Sequence, residues 1–455
     1  MSSLLIKNIK ILATMDGSEP FSTGQELKDY SILCVDGIIK DIFPSKERNV
    51  DAEQVINASS YLVLPGLINT HHHLFQTLTK AIRLAQNANL FDWLKTLYPI
   101  WAKIKPIHLK SSVSIGLSEL ILSGCTTTSD HLYIFPNGVE LEDEIEIAKK
   151  IGIRFHATRG SMSVGESLGG LPPDFLVEKE ESILSDSIRV VEKWNDPKHN
   201  SMLRIALAPC SPFSVSQDLM KETAIMARDL NVGLHTHFAE NDEDVKYCNQ
   251  ILKMSPGQYL ESIGWLGPDV WHAHCVKLND YEINLMSSTN TKVSHCPCSN
   301  MRLGSGIAPI KELLNNKVSV GLGVDGSASN DSGNLLNEAR QSLLLQRVVH
   351  GSSGLTARQA LWMATAGGAE TLNRDDIGKI KVGNSADFSI FNLNSLELSG
   401  AIEDPLSGLI FCGPFKTVYT ICNGSVIAKN GEIVNLDLYT AIEKHNDLSK
   451  SLLVD

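Results

Sequence analysis

Eight short apolar runs, many of them β-branched, alternate with longer stretches of helical period through the middle of the chain. The runs are VLPGLINT (63–70), CTTTSDHLY (125–133), IRFHATRG (153–160), RIALAPCS (204–211), VGLHTHFAE (232–240), DVWHAHCV (269–276), KVSHCPCS (292–299) and VSVGLGVDG (318–326). Helical patterns lie between and after them, at 107–123, 218–230, 279–287, 309–316 and 337–349. This rhythm predicts an α/β fold with a parallel sheet, either a closed (β/α)8 TIM barrel or an open doubly wound sheet. The barrel is the expectation because most runs end in a polar side chain capable of chemistry. Only a closed cylinder gathers those C-terminal ends at one mouth.

The two ends of the chain read differently. Residues 1–60 and 376–436 carry short strand patterns punctuated by Gly and Asn turns, and neither segment alone would bury much surface. They are predicted to form together one small β-sandwich domain, with the barrel (61–375) inserted between them and a helical tail at 437–455. With 43% hydrophobic and 20% charged residues, the 455-residue chain can build a full core. Its net charge of −12 opposes a broad nucleic-acid footprint. Nine cysteines, scattered and odd in number, point to reduced thiols rather than a disulfide framework. No signal-peptide layout or membrane-spanning run is visible, so the expected location is the cytoplasm and no membrane partner is expected.

The chemistry concentrates at strand ends. His71 and His73 follow PGLINT, and in an extended strand residues i and i+2 face the same side, so these two can share an ion while His72 turns away. His235 and His237 repeat the alternation, with Glu240 three residues on. Glu240 alone reads equally well as the first acidic residue of a helix. His272 and His274 alternate in the next run, and His295 ends the one after; each singly is more often a hydrogen-bonded structural histidine. Asp325 ends an apolar strand, where a carboxylate needs a partner or a cation, although an Asx-turn role is the plainer alternative. Cys296 and Cys298 lack a second pair and read as packing. The string GLGVDG satisfies G-x-G-x-x-G, but a loop follows it instead of a helix, which argues against a dinucleotide site. There is no H-E-x-x-H, no phosphate-loop G-K-[ST], and no H-x-E with P-C-x-x-C.

Taken as a set, PGLINTHHH, HTHFAE, HAHC, SHCPCSNMRLGSGIAP and GLGVDGSASND resemble the amidohydrolase superfamily, and so do GNSADF (383–388) and NGSVI (423–427) in the flank. The pattern is similar to its deaminase branch, which holds one divalent ion, zinc or alternatively iron. The resemblance implies His71, His73, His237 and Asp325 as metal ligands. It also implies Glu240 as a proton-shuttling carboxylate and His274 as a contact of the attacking water, with Asp325 sharing in its deprotonation. No lysine stands in IALAPCSP to be carboxylated, which favours a single ion.

A closer likeness, through HHHLFQTLTKAI, SDHLYIFPNG, FHATRGSMSVGESLGGLPPD and APCSPFSVS, is to deaminases of 8-oxoguanine, hydroxylated triazines and pterins. The implied substrate is a small heterocycle, best matched by 8-oxoguanine giving urate and ammonia, and the resemblance suggests a homodimer. Gln76 could read a purine edge or merely cap a helix. Arg159 could pair with a ring carbonyl or form a barrel salt bridge. Trp93 and Trp101 could cover a flat ring or belong to the core. Guanine is a further candidate substrate. A hydrolase of cyclic amides or carbon–halogen bonds is a second reading, and a non-catalytic paralogue a third, which the retention of every ligand disfavours.

Overall fold

The structure is a computed structural model, described for residues 2–17 and 24–454. Eight parallel strands close into a barrel: Leu67–Asn69, Cys125–Leu132, Arg154–Ser161, Leu203–Pro209, Gly233–Phe238, Val270–His274, Lys292–His295 and Val320–Leu322, with the eighth pairing back onto the first. Each coincides with one of the apolar runs. Helices such as Pro106–Ser123, Gln217–Asp229, Asp280–Thr289 and Leu335–His350 pack around it. Their boundaries have ordinary causes. Pro106 opens the first of these helices and Gly124, at φ 110°, closes it; Ser216 caps the next by accepting from Leu219 N–H.

The chain ends supply two further sheets. Four strands run in the order Ile38–Pro44, Tyr30–Val35, Ser3–Ile9, Gln54–Asn57. Seven run in the order Glu432–Ile433, Ser425–Lys429, Tyr419–Cys422, Phe388–Asn392, Tyr61–Pro65, Ile11–Ala13, Glu26–Leu27. Ile6, Ile32, Val63, Phe388 and Ile421 bury a second core between them. Removing such side chains from water at about 25 cal/mol per Å² is what keeps the sheets face to face. Arg154, fully buried in the third barrel strand, donates from Nε and Nη2 to Asp387 at 3.0 Å each, tying the barrel to the GNSADF turn.

One expected strand is two. The run 63–70 breaks at Gly66. Tyr61–Pro65 pairs antiparallel with Phe388–Asn392 in the seven-stranded sheet, whereas Leu67–Asn69 enters the barrel. A Cβ at residue 66 would stand 1.9 Å from Thr126 Oγ1, so only glycine lets the chain cross there. The tail forms the helix Leu438–Leu453. It docks on the short 3-10 helix Leu74–Thr79, where His445 Nε2–H donates to Thr77 O and Ser449 Oγ–H to Leu78 O. Among the described residues, no helix is long and apolar enough to cross a membrane.

Candidate metal centre and active site

At the C-terminal mouth of the barrel the first, fifth, sixth and eighth strands deliver their polar ends to one place. His71 Nε2 and His73 Nε2 lie 3.2 and 3.3 Å from Asp325 Oδ1, and His73 Nε2 lies 3.0 Å from His237 Nε2. All four residues are enclosed or nearly so. His72 faces the other way, as the strand alternation requires.

The proton positions follow from the surrounding carbonyls, which can only accept. His73 Nδ1–H donates to His131 O at 2.7 Å, and His237 Nδ1–H donates to Cys210 O at 2.7 Å. His235 Nδ1–H donates to Trp271 O at 2.8 Å, which leaves His235 Nε2 an acceptor and makes His71 Nδ1 its donor, at 2.7 Å. In their neutral forms, therefore, His71, His73 and His237 all turn a bare Nε2 lone pair towards one another and towards a carboxylate. His71 Nε2 is buried and has no hydrogen-bond partner. Burial lowers the pKa of all three imidazoles, His237 to about 3, so proton uptake does not relieve the arrangement near neutrality. Such a set of nitrogen and oxygen donors is what a divalent cation of zinc type satisfies.

Beside these donors stand two further titratable groups, Glu240 and His274. Burial, reinforced by the carboxylates of Asp244 and Asp325, raises the Glu240 carboxyl well above its ordinary range. Asp244 in turn accepts from the backbone N–H of Glu240 at 2.9 Å and of Asn241. His274 Nδ1–H donates to Asn300 Oδ1 at 3.0 Å, so its Nε2 lone pair faces Glu240 Oε2 at 3.6 Å and Asp325 Oδ2 at 4.0 Å. Asp325 is buried beside them. Ser329 Oγ–H fixes its Oδ2 at 3.1 Å and Gly326 N–H its Oδ1 at 2.7 Å. His274 and Asp325 sit in the left-handed region, at φ 71° and 61°. That conformation costs non-glycine residues about 1–3 kcal/mol each and is here held by the packing of the strand ends.

Above the donors opens a cavity walled by Trp93, Tyr98, Tyr133 and Phe213, with Gln76, Ser211, Cys210 and Ser329 among its polar groups. Gln76 lies in this wall, with Oε1 accepting from Ala328 N–H at 3.3 Å. Trp93 lines it too, whereas Trp101 is core, donating from Nε1 to Thr79 Oγ1. Arg159 does not line the cavity. Its guanidinium, 2% exposed, is held by Glu178 (2.8 Å) and Asp186 (2.6 Å) and stacks on Phe135. Burial pushes the Cys210 thiol up to about 12, which removes it as a nucleophile. His295 is fully buried with neither ring nitrogen hydrogen-bonded, and it does not line the cavity.

His131 belongs to the cluster although the sequence reading passed over it: its ring stacks on His237 with centroids 4.8 Å apart, and its Nε2–H donates to Ala208 O. The signal was present in CTTTSDHLY, where His131 ends the second strand. The supporting residues Asn300, within the short helix Pro297–Arg302, Ser329, in a turn, and Asp244, at a helix start, are marked by no spacing rule.

Residues 62–427 match the model of the amidohydrolase family. The chain is 44% identical to an 8-oxoguanine deaminase of Pseudomonas aeruginosa, over 87% of this chain and 89% of that one. It is 35% identical to a hydroxydechloroatrazine ethylaminohydrolase of Pseudomonas sp. (strain ADP), over 91% and 89%. Among solved structures, an atrazine chlorohydrolase of Arthrobacter aurescens complexed with zinc superposes with a TM-score of 0.93 at 32% identity, covering 98% of this chain and all of that one.

Proposed function

This chain belongs to the amidohydrolase family, and from that membership we propose that it removes the amino group of a purine-like heterocycle, with 8-oxoguanine as the substrate and urate and ammonia as products. One observation carries the chemistry: three imidazole lone pairs and the Asp325 carboxylate converge beside a buried carboxyl whose hold on its proton burial strengthens, under an aromatic-walled cavity. The choice of ring rests on the 44% identity to the 8-oxoguanine deaminase.

His71, His73, His237 and Asp325 would hold one divalent ion, zinc by the chemistry of the donors, with iron as the alternative. When bound, such an ion is a Lewis acid that brings the pKa of water from 15.7 to about 7. The side chains do the rest. The ring lies flat between Trp93 and Phe213, where Gln76 offers its amide to a ring edge. Glu240, protonated at rest, donates to the ring nitrogen beside the carbon that bears the amine, which makes that carbon electrophilic. Asp325 and His274 accept the proton that water loses as its oxygen bonds to the carbon. Returning that proton to the exocyclic nitrogen breaks the carbon–nitrogen bond and ammonia leaves, while the hydroxyl on the carbon gives its proton to the Glu240 carboxylate, which leaves a carbonyl and restores the acid. For 8-oxoguanine the carbon is C2. Excluding bulk water lets each of these charges act at full strength.

Ammonia release from 8-oxoguanine, guanine, isoxanthopterin and hydroxylated triazines, assayed with metal-loaded protein, tests the assignment. Preference for 8-oxoguanine is expected. Turnover of a triazine or pterin alone would move the substrate within the family, and absence of turnover on every amino heterocycle would refute deamination. The likeness to the atrazine chlorohydrolase supports loss of a ring substituent other than an amine as a second reading, which chloride or alcohol among the products would reveal.

A further inference from the structure

The opposite end of the barrel holds a second concentration of unspent charge. There, where the strands begin, two adjoining cavities of about 410 and 490 Å³ share two residues, Arg204 and Asn373. Arg204 is half-buried in the fourth barrel strand. It makes only long hydrogen bonds, from Nε to Ser201 Oγ at 3.3 Å and from Nη2 to Pro197 O and Lys198 O at 3.3 and 3.5 Å. Among the described residues it has no carboxylate within ion-pair distance, and its Nη1 has no partner.

Arg374 meets it on the same residue. Its Nη2 donates to Ser201 O at 3.1 Å, and its Nε and Nη2 are taken by Asp376. Its Nη1 is likewise unpartnered among the described residues. Two guanidinium groups side by side repel, and the Asp376 carboxylate pairs directly with Arg374 alone. Lys292 is the third cation. It is 9% exposed, and its Nζ donates to Pro268 O at 2.7 Å and to Asn373 Oδ1, with no carboxylate beside it. Burial lowers it to about 8. His156, enclosed at the floor of the smaller cavity, has a buried Nδ1 with no hydrogen-bond partner.

Asp376 is the counter-ion of Arg374, but among the described residues no carboxylate lies within ion-pair distance of Arg204 or Lys292. Asp269 is paired with Arg228 at 3.1 Å, and Glu370 is engaged by Ser319 Oγ and by Lys379 at 3.7 Å. Asp375 is exposed at the rim of the larger cavity. In a chain of net charge −12, two half-buried to buried cations without an ion pair, next to a third that Asp376 holds in place, are not a sample of the average surface.

We propose that Arg204, Arg374 and Lys292 form a second ligand site, for a phosphate-type oxyanion, at the barrel end remote from the metal centre. The void beyond Arg204 is walled by Trp271, Ile205 and Val232, so the oxyanion could be free phosphate or the phosphate of a nucleotide whose base lies on that wall.

The test is calorimetric titration of the metal-loaded protein with inorganic phosphate and with guanosine monophosphate, each against potassium chloride at matched ionic strength. Saturable heat with either is expected. Tighter binding of the nucleotide assigns the wall to a base, and equal binding assigns the site to free phosphate. Arg204→Gln should weaken binding by about 10-fold or more through loss of charge-assisted hydrogen bonds, and Arg204→Lys by less. Lys292→Gln is the second variant should Arg204→Gln fold poorly, and it too should weaken binding. Heat no greater than that of chloride overturns the proposal. So does binding that Lys292→Gln and a folded Arg204→Gln leave unchanged, because the anion would then sit at the metal centre.

Discussion

His71 and His235 share a 2.7 Å hydrogen bond in which His71 is the donor, because the far nitrogen of His235 is already committed to the carbonyl of Trp271. A carbonyl on the sixth strand thus dictates, through one intervening ring, which nitrogen of His71 is free. His235→Ala is expected to release that constraint and to lower metal affinity by about 10–100-fold, the ordinary effect of losing a partner that orients a ligand. Competition with a chromophoric chelator measures it. Unchanged affinity would mean that the packing alone orients His71.

Glu240 touches none of the four donors within hydrogen-bond distance, yet it faces His274 at 3.6 Å. Glu240→Gln should therefore keep the full metal content, by elemental analysis, and lose turnover by about 10²–10⁴-fold, the usual contribution of a placed acid–base group. A variant retaining activity would disqualify this carboxyl as the proton carrier.

Removing the cation should leave three lone pairs and a carboxylate unsatisfied at the barrel mouth. Dialysis against a chelator is expected to abolish turnover and to lower Tm, since a ligand at 100 times its Kd stabilises the native state by about 2.7 kcal/mol. Adding back zinc should restore both. Full activity in protein shown by elemental analysis to be metal-free would contradict the proposed chemistry.

Arg159 offers a separate check. Its partners Glu178 and Asp186 are themselves partly exposed, so Arg159→Met should cost about 2–3 kcal/mol, somewhat less than breaking a wholly buried pair. Urea denaturation reads that loss, while KM should stay put. A raised KM at unchanged stability would return Arg159 to the substrate.

On the barrel's flank, Arg189, Trp194 and Lys193 hold the Glu142 carboxyl at about 2. A folded pKa below the unfolded value of about 4.3 gives stability that is complete above the latter and lost as the pH falls towards 2. Glu142→Gln should flatten the fall of unfolding free energy between about pH 4.5 and 2, followed by urea titrations across that range. Equal slopes in variant and parent would show that the ion pair contributes nothing to acid sensitivity.

The strand ends were legible because each histidine cluster obeys a period of two, and because only a closed cylinder makes His71, His237 and Asp325 neighbours. Eight apolar runs therefore sufficed to place the barrel strands. Gly66 was not legible as a break, since nothing local distinguishes a glycine that turns a chain from one that lets Thr126 pass close. The choice left open for Arg159, ring carbonyl or barrel salt bridge, had a related cause: alternation says on which side of the sheet a residue begins, but not that Glu178 and Asp186, from a loop and a helix, will capture a long side chain first. Asn300 and Ser329 escaped because they meet His274 and Asp325 only through the way a short helix and a turn pack on the strand ends, which no local period records.

The barrel's seam lies between its first and eighth strands, which share one registered residue pair, Asn69 with Leu322. Asn69 reinforces it sideways, donating to Thr128 and accepting from Val324. His71 and His73 follow one lip of that seam and Asp325 the other. A cation gripped by all three acts as a rivet, and its departure should let the two lips breathe first, with backbone amides of 67–71 and 322–325 exchanging with deuterium before those of any other part of the cylinder wall.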